Sequence, residues 1–387
     1  MDRIYFDYAA TTPVDPAVAE AMRPYFSDKF GNPSSIHYFG QEAKKAIEDA
    51  RSKVATFLGA REDEIIFTSG GTESDNFTLF GILWGNAIRG NHVVTTAIEH
   101  HAILEPCNFL EKHGYQVTYV KPDNNGLISP EAVKDAMTEK TVLVSCMHAN
   151  NEIGVIQPIR EIASIAKEKG VYFHTDAVQT VGHIPVDVND LNVDLLSLSA
   201  HKFYGPKGAG CLYVRKGTRI QAYLRGGGQE RHRRASTENV PGIVGLGRAI
   251  EICREKMDVE AAEQMRLRDK LITEIPKRIK RVYLNGHPTR RLPNNVNFSI
   301  EYIEGESMLL NLDMLGIAAS TGSACTSGDL EPSHVLLSIG RPHELCHGSL
   351  RMTLGRFTKE AEIDRFLEVF PNIVAKLRAM SPLYEEK

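Results

Sequence analysis

The sequence has no apolar run approaching a membrane span; its longest, such as Val142-Leu143-Val144, are the length of a strand. The N-terminus, Met1-Asp2-Arg3-Ile4-Tyr5-Phe6-Asp7, is charged and strand-like, with no apolar stretch of signal-peptide length. There is no excess of one charge either. Lys plus Arg number 45 against 49 Asp plus Glu, so nothing points to a nucleic-acid or anionic-membrane surface. The six cysteines (Cys107, Cys146, Cys211, Cys253, Cys325 and Cys346) are scattered and form no Cys-x-x-Cys pair. Reduced thiols in the cytoplasm are therefore expected, rather than a disulfide framework. Repeats and low-complexity tracts are missing too. What is present is an ordinary globular composition, 42% hydrophobic and 24% charged over 387 residues, enough chain for two or three domains.

Short β-rich runs alternate with helical patterns over the first two-thirds. Strands are predicted at Glu64–Thr68, His92–Thr96, Gln116–Val120, Thr141–Cys146, Val171–Thr175, Asp194–Ser199 and Gly210–Val214. Helices are predicted at Gln41–Leu58, Glu73–Ile88, Ala102–His113 and Ile159–Lys169. This alternation predicts an α/β fold with a mostly parallel central sheet covered on both faces. From about Ala261 the texture changes: a charged amphipathic helix near 260–280, a strand at Asn295–Ser299, a helix near 307–315 and a last helix from Glu360 to about Met380. The expected division is a large cofactor-binding domain, residues 15–258, and a smaller α+β domain made of 1–14 and 259–387.

Ligands of such sheets sit at the carboxyl ends of strands, so polar residues just past a strand are the informative ones. Lys202, in Ser199-Ala200-His201-Lys202, follows one strand, where a lysine can form a Schiff base with an aldehyde cofactor while Ser199 and His201 approach a phosphate. Alone it would read as one more surface lysine. Asp176, in His174-Thr175-Asp176-Ala177-Val178-Gln179, ends another strand and suits a protonated pyridine nitrogen, with Gln179 placed for a ring phenolic oxygen. By itself it would read as a turn residue. In Ser69-Gly70-Gly71-Thr72-Glu73 a strand meets a helix start, an N–H cradle for phosphate or an ordinary cap; no P-loop lysine accompanies it.

These segments resemble the aminotransferase class V superfamily, and within it the cysteine desulfurases of the NifS/IscS type. The resemblance runs nearly end to end, through Asp7-Tyr8-Ala9-Ala10-Thr11-Thr12-Pro13, Gly31-Asn32-Pro33-Ser34-Ser35, Glu99-His100, His148 to Gly154, Gly226 to Glu230, Ser320 to Cys325 and Gly348-Ser349-Leu350-Arg351. It implies pyridoxal 5′-phosphate bound by Lys202, with His100 stacked on the ring and Asp176 and Gln179 on its nitrogen and phenolic oxygen. Gly71, Thr72, Ser199 and His201 would hold the phosphate, joined by Thr237 from the other subunit of a homodimer. Asn151 and Arg351 would receive the carboxylate of L-cysteine, a task that suits the guanidinium fork. Cys325 would take the sulfur as a persulfide and pass it to an acceptor such as an iron–sulfur scaffold protein. The small-residue stretch from Ala318 to Asp329, with no large apolar side chain, reads as a mobile loop carrying that cysteine.

Two departures stand out. The family pattern Arg-Ser-Gly-Thr is replaced by Arg234-Ala235-Ser236-Thr237, so Ser236 stands where a glycine is usual. The sequence ends at Lys387 without the longer tail that housekeeping relatives use to dock a scaffold, which weakens the expectation of that contact. A rival motif, His343-Glu344-Leu345-Cys346-His347, matches the zinc-peptidase pattern, but Pro342 before it and Gly348-Ser349 after it argue against the continuous helix that chemistry needs; no metal is expected. A selenocysteine lyase or another class V aminotransferase shares the same cofactor; a plain aminotransferase would not need Cys325.

Overall fold

A computed structural model describes residues 3–322, 332–382 and 384. Seven strands form the main sheet in the order Ile65–Thr68, Gly210–Val214, Leu195–Ser199, Tyr172–Asp176, Thr141–Ser145, His92–Thr96, Gln116–Val120. Only Gly210–Val214 runs antiparallel to its two neighbours; every other pairing is parallel. Most of these strands are buried along their whole length, which is why they read as Val/Ile/Leu runs rather than as alternating patterns.

The helices show how local sequence sets the elements. Tyr38–Leu58 buries Ala43, Ala46, Ile47, Ala50, Val54 and Leu58, a three-to-four residue repeat facing the core. It stops at Gly59, whose φ of 66° is left-handed and easy only for glycine. Gly71–Gly85 starts at the Gly70-Gly71 turn instead. Gly70 has φ 155°, and a Cβ on Gly71 would come within 2.7 Å of Val178 Cγ2, so both glycines are sterically required.

A second, three-stranded antiparallel sheet has Asn295–Ile300 between Val282–Leu284 and Ser349–Thr353. Its apolar face packs with the helices Gly305–Met314 and Glu360–Met380 around a separate core containing Phe298, Leu350, Phe366 and Phe370. The N-terminal strand Ile4–Tyr5 joins this part of the molecule by pairing in parallel with Ile317–Ala318.

One helix differs from expectation. The segment predicted to begin near residue 260 is the second half of a 39-residue helix, Val240–Arg278. Its first half is rich in glycine, which disguises a helix in sequence. The glycines are used for close approach: a Cβ on Gly247 would lie 2.8 Å from Ala50 Cβ, and one on Gly245 would lie 2.6 Å from Met22 Sδ. Packing against Tyr38–Leu58 overrides the weak propensity.

Candidate active site

The carboxyl ends of the sheet strands carry the polar residues picked out from sequence. Gly71 and Thr72 follow Ile65–Thr68, His100 follows His92–Thr96, Asn151 follows Thr141–Ser145, and Asp176 and Gln179 end or follow Tyr172–Asp176. Lys202 closes a single helical turn, Ala200–Lys202, after Leu195–Ser199. With Ser199, His201 and Arg351 they line one cavity of about 310 Å³. A larger cavity, about 690 Å³, lies elsewhere among Tyr302, Ile303, Leu345 and Leu377; among the described residues no lysine or arginine lines it to pair with an anion.

The N-terminal segment runs over the cavity and ties its side chains down. Lys202 Nζ donates to Ala9 O (2.6 Å) and Ala10 O (2.8 Å), and Gln179 Nε2 donates to Ala9 O (3.0 Å). His201 Nδ1 lies 3.1 Å from Thr11 Oγ1, and Thr12 Oγ1 donates to His201 O. Ala9 and Ala10 themselves line the cavity. Arg351 reaches it from the second sheet, donating from Nη1 to Asn151 O (3.1 Å) and from Nη2 to Asp7 Oδ1 (2.8 Å).

Burial dominates the electrostatics. Asp176 accepts the Val178 N–H at 2.8 Å, yet burial pushes its carboxyl up to about 6, despite the opposing pull of that bond and of Lys202. A deeply buried carboxylate of this kind is suited to a cationic N–H partner entering the cavity. His100 is pulled down to about 4, first by burial and then by Lys202. Its Nδ1 accepts the Ala102 N–H at 3.1 Å, so the neutral ring carries its proton on Nε2. His201 is likewise pulled down to about 4 by burial and Lys202.

The start of the helix Gly71–Gly85 has no side-chain cap, and its first residues, Gly71 and Thr72, line the cavity with Ser199, which leaves uncapped N–H groups there for an anion. Glu73, in that first turn, is held below its usual range by Arg234, which donates to it at 2.6 and 3.0 Å, and by Ser69; only burial opposes them. Lysine, buried carboxylate and N–H cradle together fit a cofactor with an aldehyde, a protonated ring nitrogen and a phosphate.

Some expected residues do not meet here. Thr237 lines a separate cavity of about 180 Å³ with Thr68, Ser69 and Ser236, and does not reach the Lys202 cavity within one chain. Cys325 lies outside the described residues. Pro342 and Gly348 bound the helix at His343–His347 to five residues, with the two histidine rings 4.7 Å apart. Among the described residues no third His, Cys, Asp or Glu joins them as a metal group. The adjacent Cys346 is buried, its thiol pushed up to about 11 by burial.

Three acidic residues near the site, Asp75, Glu99 and Asp7, carry no role in the sequence analysis. Asp75, one helical turn beyond Gly71, lines the cavity and is 1% exposed; burial and then Asp176 push its carboxyl well up. Glu99, fully buried, is pushed up to about 8 by burial, with Asp176 a smaller cause. Asp7 holds Arg351. The i, i+4 spacing of Gly71 and Asp75 was the one signal available for placing any of them.

The sequence profile described as "Aminotransferase class-V" matches residues 4–366. A protein of Dictyoglomus turgidum named "Cysteine desulfurase IscS" is 56% identical over 383 residues, covering 99% of this chain and 97% of that protein. One of the same name from Methanosarcina thermophila is 57% identical over 380 residues, covering 98% and 94%. Among solved structures, a "NIFS-LIKE PROTEIN" superposes with a TM-score of 0.91 at 40% identity, covering 97% of this chain and all of its own. "SspA in complex with cysteine" superposes at 0.81 with 37% identity, covering 92% of this chain and 100% of that one.

Proposed function

The chain belongs to the aminotransferase class-V family, and from that premise we propose that it is a cysteine desulfurase, converting L-cysteine to L-alanine with pyridoxal 5′-phosphate as cofactor and Cys325 as the sulfur carrier. The observation that carries this reading is the meeting of Lys202, Asp176 and Arg351, from elements distant in sequence, around one cavity. In this reading Lys202 engages the cofactor aldehyde, Asp176 its ring nitrogen, Gln179 its phenolic oxygen and His100 its ring face. Gly71, Thr72, Ser199 and His201 hold its phosphate, and Thr237 of the partner subunit completes that set in a homodimer. Pyridoxal phosphate, when bound, supplies an electron sink that labilises the substrate Cα–H and Cβ–Sγ bonds.

The chain's own groups do the rest. Arg351 and Asn151 receive the substrate carboxylate and fix the amino acid's orientation. Lys202, as a free amine, takes the proton from Cα. The Cys325 thiolate attacks the substrate Sγ: an S–S bond forms, the Cβ–Sγ bond breaks with its electrons left on the carbon side, and Cβ is protonated on the way to alanine. The persulfide on Cys325 then passes its outer sulfur to an acceptor protein, with iron–sulfur cluster assembly as the destination. Among the described residues no helix is long and apolar enough to cross a membrane, and we place the enzyme in the cytoplasm. We also retain a large domain of residues 15–258 and a small one of 1–14 and 259–387.

The test is to incubate the purified, cofactor-loaded protein with L-cysteine and a thiol reductant. Alanine and sulfide should be released in equal amounts; alanine without sulfide, or neither product, would sink the reading.

A further inference from the structure

The charge on the proposed carboxylate receptor is already balanced before any substrate arrives. Arg351 is 4% exposed and its Nη2 donates to Asp7 Oδ1 at 2.8 Å. Its Nη1 donates to Asn151 O, so both ends of the guanidinium are fixed. Its Nε is buried and has no partner among the described residues. A guanidinium has five N–H donors, so Nε–H and one hydrogen on each Nη remain for a ligand. Asp7 does not line the cavity although Arg351 does; it grips the guanidinium from behind.

Asp7 is itself firmly placed. Its backbone bridges Thr353, two residues beyond Arg351 on the same strand, and its carbonyl accepts the Tyr5 hydroxyl at 3.0 Å. Its side chain is 19% exposed. Among the described residues, Lys202 and Arg351 supply the only Lys or Arg side chains lining the cavity. Asp7 is the ion-pair partner of Arg351, whereas Lys202 Nζ is held by the Ala9 and Ala10 carbonyls and in the proposed reading engages the cofactor. A substrate with one carboxylate finds spare donors on Arg351, whereas a second carboxylate would enter a largely buried cavity with no cation left to meet it.

We propose that Asp7 is a positioning and selectivity residue: it holds the Arg351 guanidinium with free donors toward the cavity, and its negative charge makes the site reject amino acids that carry a second carboxylate. This rests on the reading of Arg351 as the substrate-carboxylate receptor.

Two variants separate orientation from charge. Asp7→Ala removes both; Asp7→Asn keeps a carbonyl oxygen for Nη2 and removes the charge. With the cofactor-loaded enzyme, Asp7→Ala raises KM for L-cysteine about tenfold with kcat little changed, and Asp7→Asn returns KM to the wild-type value or below. The inhibition constant of L-aspartate relative to that of L-alanine, its single-carboxylate analogue, falls about tenfold in both variants. A KM for Asp7→Ala within about twofold of wild type overturns the positioning role, and an unchanged aspartate-to-alanine ratio in Asp7→Asn overturns the selectivity role. If Asp7→Ala fails to fold, the Asp7→Asn ratio still decides the selectivity claim, and unchanged cysteine binding on exchanging Asp7 for the longer Glu overturns the positioning claim. Arg351→Lys is the control. If it leaves KM unchanged, the receptor reading itself has failed; if it raises KM while the Asp7 variants behave as wild type, only the present inference has failed.

Discussion

Replacing Asp176 with asparagine should make the cofactor-free protein more stable while crippling its use of cofactor. Asp176 ionises at about 6 in the folded chain, raised from 3.8 chiefly by burial. The neutral acid is therefore favoured by folding: its contribution is full below about pH 4 and is lost as pH rises through about 6. A shift of about two units corresponds to about 3 kcal/mol of strain carried by the ionised form at neutral pH. Asparagine mimics the neutral acid at every pH, and its carbonyl can still accept the Val178 N–H that now binds Asp176 Oδ1. Urea unfolding of both apoproteins at one protein concentration should show the variant more stable by up to about 3 kcal/mol near pH 7.5, the gain shrinking toward zero near pH 4. Added pyridoxal phosphate should reverse the order, because only the carboxylate pairs with a protonated ring nitrogen and the ligand stabilises whichever form binds it better. A variant no more stable than wild type at pH 7.5, or a gain of equal size at both pH values, refutes the reasoning.

Other tests follow from single positions. Cys325→Ser should load cofactor normally and release almost no sulfide, because a hydroxyl is a far poorer nucleophile toward sulfur; mass spectrometry of the cysteine-treated wild type should place one extra sulfur on the Cys325 peptide, and finding it on Cys346 instead would break the assignment. Ser236 sits at φ 89°, a region that disfavours side chains, so Ser236→Gly should raise stability by about 0.5–1 kcal/mol; a lowered melting temperature would contradict this. Lys202→Ala and Thr237→Ala, each impaired alone, should partly recover activity when mixed, unfolded and refolded together; no recovery counts against a site shared between subunits.

The sequence by itself determined the elements and much of the site's membership. Short β-rich runs placed His92–Thr96, Gln116–Val120 and Gly210–Val214 to the residue, and helical periodicity placed the last helix, Glu360–Met380, at both ends. These signals are local: buried strands show as short β-branched and apolar runs, helices as a repeat every three to four residues, and caps and glycines mark the ends. Ten residues singled out beforehand line one cavity: Gly71, Thr72, Asp176, Gln179, Ser199, His201 and Lys202 through the strand-end rule, and His100, Asn151 and Arg351 through the family resemblance. The first half of Val240–Arg278 escaped detection because Gly245 and Gly247 are there for contacts with Met22 and Ala50, partners about 200 residues away. The same distance hides the electrostatics. Asp7 meets Arg351 across 344 positions, Lys202 meets Ala9 across 193, and the acids Asp75, Glu99 and Asp176 become neighbours only when three strand ends converge. A residue's charge state depends on how much water the fold removes and which charges it brings near. Sequence spacing carries neither quantity, so the tertiary structure alone decided which carboxyls stay neutral and which guanidinium arrives already balanced.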